Sequence, residues 1–219
     1  MLERIAAFTL AACLTCTAGT ALAASTKEKV LKGNDYVAKK EYKKAVQEYE
    51  NALKSEPNDP KTHLLLGLAY ANLGSYEKAI DHLERSVKAE PSHAAYHTLG
   101  LMYANKSDLK KSASALESAV RLAPTAFRTW YAIGLTRAGA GDFAGAAEAH
   151  KKATQLNPKF VEAYLGLGSA YYWAGDRTKA MEQVVALKMM GSAAGDQLEK
   201  WLQDHERRKS ELTVAGASS

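Results

Sequence analysis

Residues 60–91 read PKTHLLLGLAYANLGSYEKAIDHLERSVKAEP, and this stretch decides the fold. Its Leu66-Gly67 pair is followed three residues later by Tyr70, on the same helical face. Leu73-Gly74-Ser75-Tyr76 then places glycine where a helix ends in a left-handed residue, and serine where the next helix needs an N-cap. Pro91 closes the segment, because its ring clashes with the preceding turn and it has no amide to donate. The stretch predicts two antiparallel helices joined by a tight turn.

Outward from there the pattern repeats. Pro57, Pro91, Pro124 and Pro158 follow one another at intervals of 34, 33 and 34 residues. Gly33, Gly67, Gly100 and Gly134 each lie 24 residues before one of these prolines. Glycine inside a helix costs about 1 kcal/mol relative to alanine, so its return at one phase predicts a place where two helices approach closely. An aromatic follows three residues later in Gly33/Tyr36, Gly67/Tyr70, Gly100/Tyr103 and Gly168/Tyr171. The turns Ala140-Gly141-Asp142-Phe143 and Ala174-Gly175-Asp176-Arg177 repeat the punctuation of Gly74-Ser75.

These residues resemble the tetratricopeptide repeat pattern: a large residue at position 4, Leu-Gly at 7 and 8, Tyr at 11, Ala at 20, a large residue at 24, Ala at 27 and Pro at 32. The second copy carries His63, Leu66, Gly67, Tyr70, Ala79, Leu83, Ser86 and Pro91; the third, Tyr96, Leu99, Gly100, Tyr103, Ser112, Leu116, Ala119 and Pro124. The fourth carries Trp130, Ile133, Gly134, Ala146, His150, Ala153 and Pro158, but puts Arg137 at the aromatic position. The first has Gly33, Tyr36, Ala45, Tyr49, Ala52 and Pro57, with Lys29 and Lys32 where large apolar residues usually sit, as suits an exposed end. The fifth has Tyr164, Leu167, Gly168, Tyr171 and Ala180, then diverges at Val184 and Leu187 with no closing proline.

The resemblance implies an all-α fold, a right-handed α-solenoid of about five tetratricopeptide-type helix pairs. Its divisions are 1–23 as a signal peptide, 24–25 as a linker, and repeats at 26–59, 60–92, 93–126, 127–160 and 161–193. A capping helix at 194–212 would present Leu198, Trp201 and Leu202 on one face, and 213–219 would form a loose tail.

Composition agrees. Of the 219 residues 47% are hydrophobic and 24% charged, enough to fold a sizeable core. Valine, isoleucine and threonine are sparse beside alanine, leucine, lysine and glutamate, which favours helices and predicts no strands. The net charge of +5 comes from 29 basic and 24 acidic residues scattered along the chain, a mixed solvated surface rather than a nucleic-acid footprint. Arg207, Arg208 and Lys209 form the densest basic run and suit a helix end.

At the N-terminus, Arg4 precedes an apolar stretch from Ile5 to Cys16 and small residues ending in Ala21-Leu22-Ala23, the pattern of a bacterial export signal cleaved after Ala23. The mature protein would be periplasmic or secreted. Leu10-Ala11-Ala12-Cys13 resembles a lipobox, and lipidation at Cys13 would make the protein an outer-membrane lipoprotein instead. The stretch is too short to span a bilayer, and no later segment reaches the roughly 18–20 apolar residues that a span needs. Cys13 and Cys16 are the chain's cysteines; both would leave with the signal, so no thiolate site is expected in the mature chain.

Solenoids of this family bind proteins or peptides on the concave side, lined by the first helix of each repeat. By family phase the candidate groove residues are Asn72, His97, Leu101, Asn105, Arg128, Tyr131, Leu135, Leu165, Tyr172 and Trp173. They form an apolar floor with aromatics toward the C-terminal end and a few hydrogen-bond donors, suited to a partner helix or apolar peptide. The leucines could equally serve packing between first helices, and the capping helix could fold over the aromatics. Of the family's carboxylate-clamp residues only Asn34 is present, which argues against capture of an acidic C-terminus. His93 and His97 share a helical face without a third ligand, and no phosphate loop or nucleophile elbow occurs. The expectation is therefore a non-enzymatic adaptor with no catalytic residues, no cofactor and no metal. The alternatives are a lipid-anchored assembly factor for outer-membrane, pilus or secretion machinery, or a substrate-recruiting subunit of an enzyme.

Overall fold

The computed structural model describes residues 25–216, with eleven α-helices and no strand among them. They are α1 (25–38), α2 (Tyr42–Leu53), α3 (Pro60–Asn72), α4 (Tyr76–Ala89), α5 (His93–Asn105), α6 (Leu109–Leu122), α7 (Phe127–Gly139), α8 (Phe143–Leu156), α9 (Val161–Trp173), α10 (Arg177–Met189) and α11 (Ala194–Gly216). No described helix is long and apolar enough to cross a membrane. The signal and lipobox readings at 1–23 lie outside the described residues. Helix α11 runs to Gly216, four residues into the stretch read as a loose tail.

The chain divides into two compact units at Lys106/Ser107. In the first, α2 packs on α3, α3 on α4, and α4 on α5. The unit's N-terminal end is polar, as Lys29 and Lys32 foretell: Lys32 Nζ lies 2.8 Å from Glu48, and Lys29 donates to the Asn51 carbonyl at 3.4 Å. Its core is built from small and large residues at the repeat positions, with Ala45, Tyr49, Ala52, Leu66, Ala79 and Leu83 essentially sealed from solvent. A methyl group added at Gly67 would stand 2.7 Å from Leu83 Cγ, so glycine is what lets α3 and α4 meet.

The second unit stacks α6, α7, α8, α9, α10 and α11 in sequence. Leu116, Ile133, His150, Leu167, Val184 and Leu187 fill its interior. Its C-terminal end is closed by α11, whose Ala194, Leu198 and Leu202 are buried against Ala180, Val184 and Leu187 of α10. Leu198 also sits over Gly168 of α9, where an added Cβ would come within 2.6 Å.

Turn chemistry follows backbone geometry closely. Gly141, at φ 80°, stands in the left-handed region and ends α7, and Asp142 then accepts a hydrogen bond from the Gly145 amide at 2.9 Å. Asp176 caps α10 in the same way through Lys179 N at 3.0 Å. The expected cap at Ser75 does not form. Its backbone (φ −87°, ψ 67°) nearly matches that of Asp142 (φ −82°, ψ 74°), but a hydroxyl sits one atom closer to the main chain than a carboxylate oxygen and falls short. Ser92, in a fully extended conformation (φ −137°, ψ 146°), does reach its target, the Ala95 amide, at 3.3 Å.

Arg137, the departure at the aromatic position, replaces one hydrogen-bonding scheme with an equivalent. Tyr70 donates its hydroxyl to Glu50 of α2 at 2.6 Å, and Tyr103 donates to Glu84 of α4. Arg137 reaches Glu117 of α6 at 3.4 Å and the Gly145 carbonyl at 3.3 Å. The tyrosines at 36, 70 and 171 carry Lys44, Lys78 and Lys179 over their rings, eight residues on, whereas the residue eight after Arg137 is Gly145, whose carbonyl accepts from the guanidinium.

Candidate functional site

The groove candidates lie on α3 and α5 of the first unit and on α7 and α9 of the second. Each unit presents its own surface. In the first, Asn34, Val37, Leu65, Leu68 and Asn72 line a shallow cavity of about 110 Å³. Asn72 is exposed and donates to the Leu68 carbonyl one turn back at 2.8 Å. Asn34, the single clamp-type residue, accepts from the Tyr49 hydroxyl at 2.7 Å. On α5, His97 is half-buried and stacks on His93 at 5.8 Å between ring centroids, Leu101 is half-buried, and Asn105 is exposed at the helix end. Among the described residues no group of three or more His, Cys, Asp and Glu side chains could hold a metal ion.

In the second unit the candidates fall into two aromatic groups. Arg128 lies over Phe127 and Phe160 at 5.3 and 5.8 Å, and Tyr131 meets Phe160 edge-on at 5.1 Å. Tyr131 also leans on the buried His150 ring at 5.3 Å. Burial, and next the carboxylate of Glu162, push the Tyr131 hydroxyl above its ordinary pKa. It therefore stays protonated and available as a donor at neutral pH. Leu135, one turn further along α7, is 49% exposed.

The other group is Phe143, Tyr172, Trp173, Trp201 and His205. Trp201 stands edge-on to Tyr172 at 5.3 Å and to Trp173 at 6.1 Å. His205 packs on Trp201 at 4.0 Å and is held there by a 2.8 Å hydrogen bond from Nδ1 to the Trp201 carbonyl. Phe143 of α8 stacks on Trp173 at 5.9 Å. The capping helix thus packs on both Tyr172 and Trp173, and Trp173 remains half exposed, at 51%. Beside them Leu165, Ser169, Gln197, Leu198 and Trp201 line an open cavity of about 270 Å³ between α9 and α11.

Trp201, His205, Phe143 and Phe160 were not among the groove candidates read from the sequence. Trp201 and His205 are four residues apart on one face of α11, a spacing that could have flagged them. Nothing in their spacing says which residues of α9 they cover.

Models of the tetratricopeptide repeat match residues 33–74, 60–93, 93–125 and 137–191. The chain belongs to the tetratricopeptide repeat family, and its fold is an all-α solenoid of that class. Among solved structures it is similar to a MamA protein at 29% identity, with a TM-score of 0.71 over 75% of this chain and 91% of that one. MamA from Desulfovibrio magneticus RS-1, residue 41 to the end, is 24% identical, with a TM-score of 0.70 over 80% and 96% of the two chains. YrrB, described as a TPR protein with an unusual peptide-binding site, is 20% identical, with a TM-score of 0.69 over 78% and 90%. No curated protein sequence matches.

Proposed function

We propose that this chain is an exported, non-catalytic scaffold that holds a partner protein through a helix or extended apolar peptide laid on its first helices. One observation carries the reading. Val37, Leu68, Leu135 and Trp173 are 37%, 37%, 49% and 51% exposed, and they lie on α1, α3, α7 and α9, the first helices of their repeats. Large apolar side chains kept in water on the first helices of each unit offer anchor sites, with Asn72 beside those of the first unit and Arg128 on α7 of the second adding polar contacts. The family, and the peptide-binding site named for the similar YrrB, support a protein or peptide ligand.

Export rests on residues 1–23, and an envelope complex is the setting it implies. Mass measurement of the mature N-terminus separates a chain starting at Ala24 from one acylated at Cys13. Partner binding is tested by affinity capture from an envelope extract with wild type, with Leu135→Ala/Trp173→Ala, and with Val185→Ala/Met189→Ala. The last pair changes the exposed residues of α10, a second helix, as a control. Loss of a partner only with the α7/α9 variant supports the reading. Loss only with the α10 variant places binding on the second helices and refutes it. Co-purification with an enzyme whose activity needs this chain would identify the recruiting-subunit alternative.

A further inference from the structure

His63 of α3 is sealed in the first unit, and its two ring nitrogens are both engaged. Nε2 lies 3.0 Å from the carbonyl oxygen of Pro57, and Nδ1 lies 3.0 Å from Nδ1 of His82 on α4. A carbonyl only accepts, so His63 Nε2 carries a proton. In the neutral pair His63 Nδ1 is then bare and accepts from His82 Nδ1–H. Addition of one proton to the pair can be accommodated, because one N–H still lies between the two Nδ1 atoms while both Nε2 atoms carry protons. A second proton places N–H against N–H at 3.0 Å, and the bond is lost.

The surroundings are those of a pair poised against that second charge. Tyr70 stacks on His82 at 5.7 Å and itself donates to Glu50 of α2. The charges acting on His82 are His63 of α3, Asp81 and Arg85 of α4, which pair with each other at 3.1 Å, and Glu50 of α2; α5, which packs on α4, supplies none of them. Burial comes first, and the neighbouring His63 second, in holding the His82 ring below the ordinary histidine range. Arg85 and Lys88 border the cavity beside His63 and oppose added protons, while Asp81 and Glu50 favour them and the Asp59 carboxylate is held on Thr62 at the start of α3.

We propose that His63 and His82 form an acid-sensitive latch, which ties the Pro57 turn, α3 and α4 together while the pair holds no more than one proton and opens when it takes a second. Opening would loosen the α3–α4 hairpin on mild acidification and with it the surface around Leu68 and Asn72. A chain that enters compartments of differing pH would gain a means of releasing a ligand there.

The test follows the rings and the hairpin together. In the folded wild-type protein, nitrogen-15 NMR of the histidine side chains between pH 7.5 and 5 should show the two rings taking up one proton between them. Hydrogen exchange of α3 and α4 amides, corrected for the intrinsic rate, should show the local opening equilibrium rising toward tenfold per pH unit as the second proton becomes available to the open state. In His82→Gln the amide does not titrate and can donate to a bare His63 Nδ1 or, turned over, accept from a protonated one, so open and closed hairpins take up the same proton and the rise should fall to under threefold per unit. His63→Gln, which can donate to Pro57 O and accept from His82, should flatten it equally and serves if the first variant folds poorly. Two fully charged rings in a protein whose hairpin stays protected would overturn the proposal, as would variants that keep the wild-type slope.

Discussion

His150 of α8 gives the sharpest quantitative expectation. The ring is 1% exposed, wedged where an added Cβ on Gly134 or Gly166 would stand 2.4 or 2.7 Å away, and its Nδ1 has no hydrogen-bond partner. Burial lowers its pKa from 6.5 to about 4. The folded state therefore prefers the neutral ring, and the unfolded chain takes up the proton first. The associated stability is fully present above pH 6.5 and is lost as pH falls toward 4. Each pH unit between the two titrations is worth about 1.4 kcal/mol, so at pH 4.5 the second unit should have lost about 2.5 kcal/mol through this ring. His150→Leu removes the titration and the unpaired nitrogen while keeping an apolar filling. Urea denaturation followed by circular dichroism at pH 7.5, 6.5, 5.5 and 4.5 should show the variant gaining on wild type by that amount across the series. A difference between the two proteins that stays constant with pH would refute the reasoning, since it would mean that the folded ring titrates like a free histidine.

Two further expectations test the packing. Gly134→Ala should destabilise by about 1–3 kcal/mol through overpacking on the His150 ring, despite alanine's better helix propensity, and His150→Ala in the same chain should recover part of the loss; a thermal melt of the single and double variants decides it. Leu198→Ala should cost about 3 kcal/mol and shift Trp173 and Trp201 emission to the red as α11 loosens, whereas an unchanged melt and spectrum would mean that α11 does not cap the second unit.

Tyr172 shows how the site differs from its sequence reading. By repeat phase it faces the same way as Trp173, and the two read as equal candidates for a partner. Trp201 and His205, roughly thirty residues on, stand edge-on to both rings, at 5.3 and 5.9 Å from Tyr172 and 6.1 and 5.8 Å from Trp173, and Trp173 stays half exposed. Tyr172→Ala therefore tests the cap, and Trp173→Ala tests the cap and the exposed surface together, with Leu135→Ala free of the cap contact. Tyr131 is likewise drawn partly inward, onto His150 and Phe160, while Leu135 on the same helix stays in water.

The repeat itself was fully legible, because the residues that build it act locally and periodically. Proline is excluded from a helix interior and so marks its boundaries, a left-handed glycine ends a helix, and the small residues that let two helices touch must return at every repeat. The sequence by itself thus determined the helix pairs, the glycine turns between them and the family, though not the cap at Ser75. Only the tertiary structure decided how the variable positions pair: Arg137 with Glu117, His63 with His82, Trp201 with Tyr172. These partners stand on different helices, 19 to 29 residues apart in the chain, and period alone tells which face a side chain occupies but not what it meets there. The bond that a buried ring makes, and the charge it will tolerate, follow from that meeting.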